Sequence, residues 1–135
     1  MTLLNSVQTS AYVRAVCHYK EITYLVTDHC TVETIDSDFN IKTLVSMDKR
    51  RHPHGISIHE DRIYVLLSRW DGPNTINVYD VSGQLITHWN RTDSCMNNRL
   101  AIVSNQIVVP DNKNKQLTVV CLLYSLDIVY GQSAL

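Results

Sequence analysis

Residues 52–89, HPHGISIHEDRIYVLLSRWDGPNTINVYDVSGQLITHW, hold four short apolar runs, at 55–58, 63–67, 75–79 and 84–89. Each run ends in turn-forming residues: His59-Glu60-Asp61-Arg62, then Trp70-Asp71-Gly72-Pro73-Asn74, then Asp80-Val81-Ser82-Gly83. Short runs of β-branched and aromatic residues between such breaks predict consecutive antiparallel strands. Gly, Pro, Asn and Asp supply the backbone angles that a reversal needs.

The unit recurs on both sides. Ile22 lies 41 residues before Ile63, and Ile107 lies 44 after it. Asp36 precedes Asp80 by 44, and Leu126 follows Leu85 by 41. A period of about 40–45 residues with four strands per unit points to β-propeller blades rather than a helical solenoid. Sustained i, i+3, i+4 apolar spacing is scarce, which disfavours helix. The expected architecture is all-β, a β-propeller segment of three four-stranded antiparallel blades at 10–50, 51–93 and 94–131. Residues 1–9 are expected to form a leftover outer strand of a preceding blade, because Leu3-Leu4 falls 41 before Leu44-Val45. Residues 132–135 are expected to be a frayed tail.

Composition narrows the functional classes. With 135 residues and 44% hydrophobic content, the chain has the length and apolar fraction of one globular domain. A net charge of −1 argues against a broadly basic nucleic-acid binder and against an acidic disordered tail. No apolar run approaches the ~18 residues of a membrane-spanning helix. Residues 1–6 lack the basic start and apolar stretch of a signal peptide. Cys17, Cys30, Cys95 and Cys121 show no C-x-x-C pairing, and three of them sit in or beside expected strands. Buried reduced thiols in a cytoplasmic protein are the expectation.

Three blades raise a closure problem. Propellers close rings of typically four to eight blades, and an open set exposes the apolar faces of its first and last members. The segment is therefore a part of a longer chain, half of a six-bladed ring completed by a homodimer, or an open arc.

The motifs resemble NHL repeats. Pro53-His54-Gly55-Ile56, then Asp61-Arg62-Ile63-Tyr64-Val65, then Ile76-Asn77-Val78-Tyr79-Asp80-Val81-Ser82-Gly83 is similar to that family's Pro-x-Gly-Ile opening, Ile-Tyr-Val strand and Asp-x-x-Gly ending. Val108-Val109-Pro110-Asp111 with Leu117-Thr118-Val119 resembles the middle of the pattern, as does Tyr24-Leu25-Val26-Thr27-Asp28. The Pro-x-Gly opening is absent from the first unit. This resemblance implies binding of protein or RNA; among propeller enzymes of the same kind it also implies metal-dependent lyases and lactonases. Fold alone does not choose between them.

Residue types argue against the enzymes. The resemblance places His54 where the amidating lyases carry a zinc ligand, yet the same register offers Val13 and Asn98 in the neighbouring units. A catalytic zinc needs about three converging protein ligands. Asp28, Asn98 and Asp111 are the oxygen donors for a lactonase-like calcium, and turn formation explains the two aspartates as well. No cofactor, catalytic residue or metal ligand is expected.

Charge is more informative. In a meander, the links between units and the second-to-third strand links emerge at one end. That end collects Lys49, Arg50, Arg51, Arg69, Arg91, Arg99, Lys113 and Lys115 against five aspartates, a net of +3. The remainder of the chain carries −4. His54 and Trp70 join the basic end. A protein-interaction scaffold that uses this loop face is the leading expectation, since Arg and Trp are frequent energetic anchors. Single-stranded RNA is the alternative, through phosphate contacts and base stacking. No membrane partner is expected.

Overall fold

The computed structural model describes residues 6–69, 74–91, 101–103, 106–111, 115–122 and 128–130. Among them, no helix is long and apolar enough to cross a membrane. The strands form three four-stranded antiparallel sheets, each paired in simple sequence order. The first contains β1 (Val13–Tyr19), β2 (Ile22–Thr27), β3 (Thr31–Ile35) and β4 (Ile41–Ser46). The second contains β5 (Arg51–His59), β6 (Arg62–Arg69), β7 (Asn74–Asp80) and β8 (Leu85–Arg91). The third contains β9 (Ala101–Val103), β10 (Gln106–Asp111), β11 (Gln116–Leu122) and β12 (Ile128–Tyr130). Of the leading strand expected over 1–9, residues 6–9 are not in a strand, and the rest lies outside the described residues.

The second sheet is covered on both faces. Along β6, Ile63, Val65 and Leu67 join a core with Tyr24, Val26, Val32 and Val45 of the first sheet. The alternate residues Tyr64 and Leu66 join Ile76, Val78 and Ile107, which reaches the third sheet. Every residue from Ile63 to Ser68 is at most 2% exposed. That is why this segment reads as a continuous apolar run instead of an alternation. Burying each such aliphatic side chain contributes about 1.5–3 kcal/mol. The first strands also meet: β1 and β2 pack against β5, and β5 touches β9.

Equivalent turns are built alike. Tyr19 pairs with Ile22, and His59 with Arg62, leaving two-residue hairpin loops at Lys20-Glu21 and Glu60-Asp61. All four loop residues have positive φ, between 48° and 67°, as a type I′ turn requires. The two turns are tied together. Tyr19 Oη donates to Asp61 Oδ1 at 2.8 Å, the Asp61 N–H donates back to Tyr19 Oη at 3.1 Å, and Lys20 Nζ reaches Asp61 Oδ1 at 3.0 Å.

The third-to-fourth strand turns also match. Asp36 Oδ1 accepts from the N–H groups of Asp38 and Asn40, both at 2.9 Å. Asp80 Oδ1 accepts from Ser82 N–H at 2.9 Å and Gln84 N–H at 3.0 Å. Both loops place their fourth residue in the left-handed region: Gly83 at φ 94°, Phe39 at φ 64°. Glycine is needed in the second loop for space as well. A Cβ on Gly83 would lie 2.6 Å from the carbonyl oxygen of Leu44, on β4 of the first sheet.

Two expectations are corrected in detail. The strand expected to begin at Gly55 begins at Arg51, because a bulge between Pro53 and Gly55 accommodates the proline. Asn74, expected in a turn, opens β7 and is buried.

Gly83→Ala is expected to cost about 2 kcal/mol or more, since left-handed strain of roughly 1–3 kcal/mol adds to the clash with Leu44. Phe39→Gly is expected to stabilise by about 0.5–1 kcal/mol, the relief of strain being partly offset by glycine's entropy in the unfolded chain. Urea midpoints of the two variants should therefore move in opposite directions.

Candidate functional site

Because each sheet is a meander, its links fall alternately at two ends. Contacts between the first two sheets fix which ends coincide. The Tyr19–Asp61 contact joins the hairpin ends, and Cys30 Sγ donates to the Arg51 carbonyl at 2.7 Å at the other. At this second end lie the 28–30 turn, the 47–50 link and the ends of β6 and β8.

The link is held firmly. Met47 N–H donates to Cys30 O at 2.8 Å, and Arg51 N–H donates to Asp48 O at 3.0 Å. Asp48 Oδ1 accepts from Arg50 N–H at 3.0 Å. The Arg50 guanidinium then grips the same carboxylate, Nε at 3.1 Å from Oδ1 and Nη2 at 2.8 Å from Oδ2. These bonds from Arg50, helped by the charge of Arg69, hold the Asp48 carboxyl far below the usual carboxylate range. Arg50 is thus paired with Asp48. Lys49 beside it is exposed and makes no ion pair among the described residues.

Strand register brings further cations to this end. Arg51 pairs directly across from Arg69, and Asn74 pairs with Arg91, so arginines occupy the same end of β5, β6 and β8. Arg51 is half-buried and donates from Nη1 to Thr75 Oγ1. Like charges directly opposite on neighbouring strands repel, and the Asp48 carboxylate, whose charge acts on Arg69, stands beside this pair.

His54 is placed differently from the rest. It is the extra residue of the β5 bulge, half-buried, with Nε2 2.6 Å from Ser68 Oγ. It belongs to the strand rather than to a surface turn. Asp28 accepts the Tyr12 N–H at 3.2 Å and donates its own N–H to the Tyr12 carbonyl at 2.9 Å, tying the lead-in to β1. Lys115 is exposed in the turn before β11. Trp70, Arg99 and Lys113 lie outside the described residues, as does the side chain of Arg91. Among the described residues, no three His, Cys, Asp or Glu side chains group as metal ligands would.

A cleft of about 230 Å³ opens beside the link, lined by Met47, Asp48, Arg51, Asn77, Tyr79, Leu85 and His88. Asn77 Nδ2 donates to Tyr79 Oη at 2.9 Å, and burial pushes the Tyr79 hydroxyl above its ordinary pKa. No motif marks Asn77, Tyr79, Leu85 and His88 as neighbours of Arg51. Only the pairing of Asn77 with His88 and of Tyr79 with Leu85 reveals the row.

The thiols are quiet. Cys17 and Cys30 are free, and burial raises the Cys17 thiol to about 11 and Cys30 above its usual value.

The architecture defines an all-β protein of successive four-stranded antiparallel meanders. No family model matches the sequence, and no curated protein does. Solved structures share the fold. A protein of unknown function from Bacteroides caccae is similar over 94% of this chain, with a TM-score of 0.67 and 11% identity. This chain spans about half, 47%, of that protein's length. The computationally designed Ika4 protein is similar over 91% of this chain and 99% of its own, with a TM-score of 0.50 and 14% identity.

The pH dependence of stability follows from the aspartates. The Asp61 carboxyl is lowered by Tyr19 and then Lys20, Asp36 by the Asn40 backbone, Asp80 by Ser82, and Asp48 by Arg50. A carboxyl with a depressed folded-state pKa stabilises above its unfolded value, about 3.9, and loses that contribution as pH falls through the lowered value. Urea midpoints should therefore fall most steeply below about pH 4. Asp61→Asn combined with Asp48→Asn should flatten that fall.

Proposed function

We propose that the chain is a segment of an NHL-like β-propeller acting as a non-catalytic binding module. Its basic loop end engages an acidic protein surface. The contact of the successive first strands β1, β5 and β9 supports a radial arrangement of the sheets. So does the likeness to a solved protein of about twice the matched length, since three blades are half of a six-bladed ring. In this reading the ring is completed by a second copy or by further chain. Free, unreactive Cys17 and Cys30 suit a cytoplasmic setting.

One observation carries the binding role: Arg51 and Arg69 sit directly opposite each other at the end of β5 and β6, beside the exposed Lys49. Cations gathered at one end favour an anionic partner of complementary charge. Protein is preferred to RNA because arginines are frequent energetic anchors of protein interfaces.

A labelled decaglutamate peptide should bind at low salt, and Lys49→Gln with Arg69→Gln should weaken it about tenfold, or ~1.4 kcal/mol. An oligouridylate that binds more tightly, with affinity falling steeply as salt rises, would transfer the face to RNA. Binding of neither probe would end the reading.

A further inference from the structure

We propose that the cleft beside the 47–50 link is a receptor for one acidic side chain, glutamate or aspartate, presented by a partner peptide next to an apolar residue. This rests on the reading of the basic end as a protein-binding surface and locates the anchor within it.

Size decides the ligand class first. The cleft, at about 230 Å³, is smaller than the roughly 300–1,000 Å³ of pockets that enclose drug-sized ligands. It suits a side chain rather than a nucleotide or cofactor.

The lining decides the chemistry. Arg51 lines the cleft, and its Nη1 is anchored by the buried Thr75 Oγ1. A guanidinium has five N–H donors, so one contact leaves others available for a carboxylate, whose two oxygens match the fork. Tyr79 Oη accepts from Asn77 Nδ2, which leaves the phenolic hydrogen as a second donor. His88 stands exposed on the same row and adds ring nitrogens at the rim.

Asp48 also lines the cleft, but its carboxylate is gripped by Arg50 at 2.8–3.2 Å. Asp48 meets Arg51 through its backbone carbonyl, while its carboxylate is bonded to Arg50. Met47 and Leu85 form an apolar wall, and Leu85 is 51% exposed, a cost to the free protein that an apolar neighbour in the peptide would relieve. A nucleobase finds no platform here, since Tyr79 as a whole residue is only 4% exposed.

The test is a titration of the ¹⁵N-labelled chain with N-acetyl-Leu-Glu-amide, with N-acetyl-Leu-Gln-amide as the control. The glutamate peptide should shift amide signals at residues 47–51, 77–79 and 85–88, and the glutamine peptide should bind at least fivefold more weakly. Leu85→Glu, at an exposed position, should abolish the shifts while the spectrum keeps its dispersion. Lys42→Gln, at an exposed position of β4 at the opposite end, should leave them in place. Equal binding of the two peptides, or shifts that survive Leu85→Glu, would overturn the proposal. If decaglutamate binds at Lys49 and Arg69 while neither dipeptide perturbs the cleft, the cleft fails and the basic end stands. If decaglutamate also fails, both fall. A dimer in solution that dissociates on Leu85→Glu would assign the cleft to a second copy and overturn it too.

Discussion

The burial of β6 on both of its faces governs the rest of the structure. A strand whose side chains all enter apolar surroundings needs a sheet on each side, so the second sheet cannot exist without the first and the third. Ile63, Val65 and Leu67 take one neighbour, and Tyr64 and Leu66 the other. At about 1.5–3 kcal/mol per buried aliphatic side chain, this strand alone supplies a share comparable with the net stability of a domain before entropy is counted. Nearest-neighbour packing of this kind is the logic of repeat proteins, in which each unit is stabilised by those beside it.

Packing on both faces also determines where function can lie. Surfaces of the middle sheet are consumed by its neighbours, which leaves strand ends, links and outer edges to meet a partner. Those places carry the polar chemistry. Turns at one end are built from Glu21, Asp36, Asp38, Glu60, Asp61 and Asp80, with Lys20, Lys42 and Arg62 beside them. Lys49, Arg50, Arg51 and Arg69 collect at the other, against Asp28 and Asp48. Two ends of opposite sign make an electrostatic dipole that a net charge of −1 conceals. Such a dipole orients an approaching charged partner before contact.

Much of this was legible in the residues, and what was not has physical reasons. The run 63–67 announced a strand, though not the burial of both its faces, and the recurrence of Ile22, Ile63 and Ile107 announced three units. The basic end followed from counting reversals in a meander. The tight hairpins were less legible. Lys20-Glu21 and Glu60-Asp61 adopt left-handed angles without the Asn-Gly or Asp-Gly that usually mark them. Phe39 occupies the position that glycine fills in the next unit, a substitution no local preference would suggest. The cleft was invisible for another reason: its residues come from one link and three strands, and the bulge between Val78 and Tyr79 sets which side chains of β7 and β8 share a face.

The bulges show how the repeat and the site are reconciled. An ideal strand alternates, so a row of cleft residues and a row of core residues would have to stay in strict step. β5 and β8 both break step, at Pro53–Gly55 and opposite Val78–Tyr79. On β5, the extra residue His54 lets the apolar positions of Ile56 and Ile58 serve the core while Arg51 remains at the strand end with its side chain across to Thr75. On β8, the shift puts Leu85 opposite Tyr79 and His88 opposite Asn77, on one face, while Ile86 faces the third sheet. Each inserted residue thus decouples the edge of the sheet from its packed centre. The first sheet carries shifts at the matching places, Val13–Ala15 and Val32–Glu33, so the device belongs to the unit and not to the cleft alone.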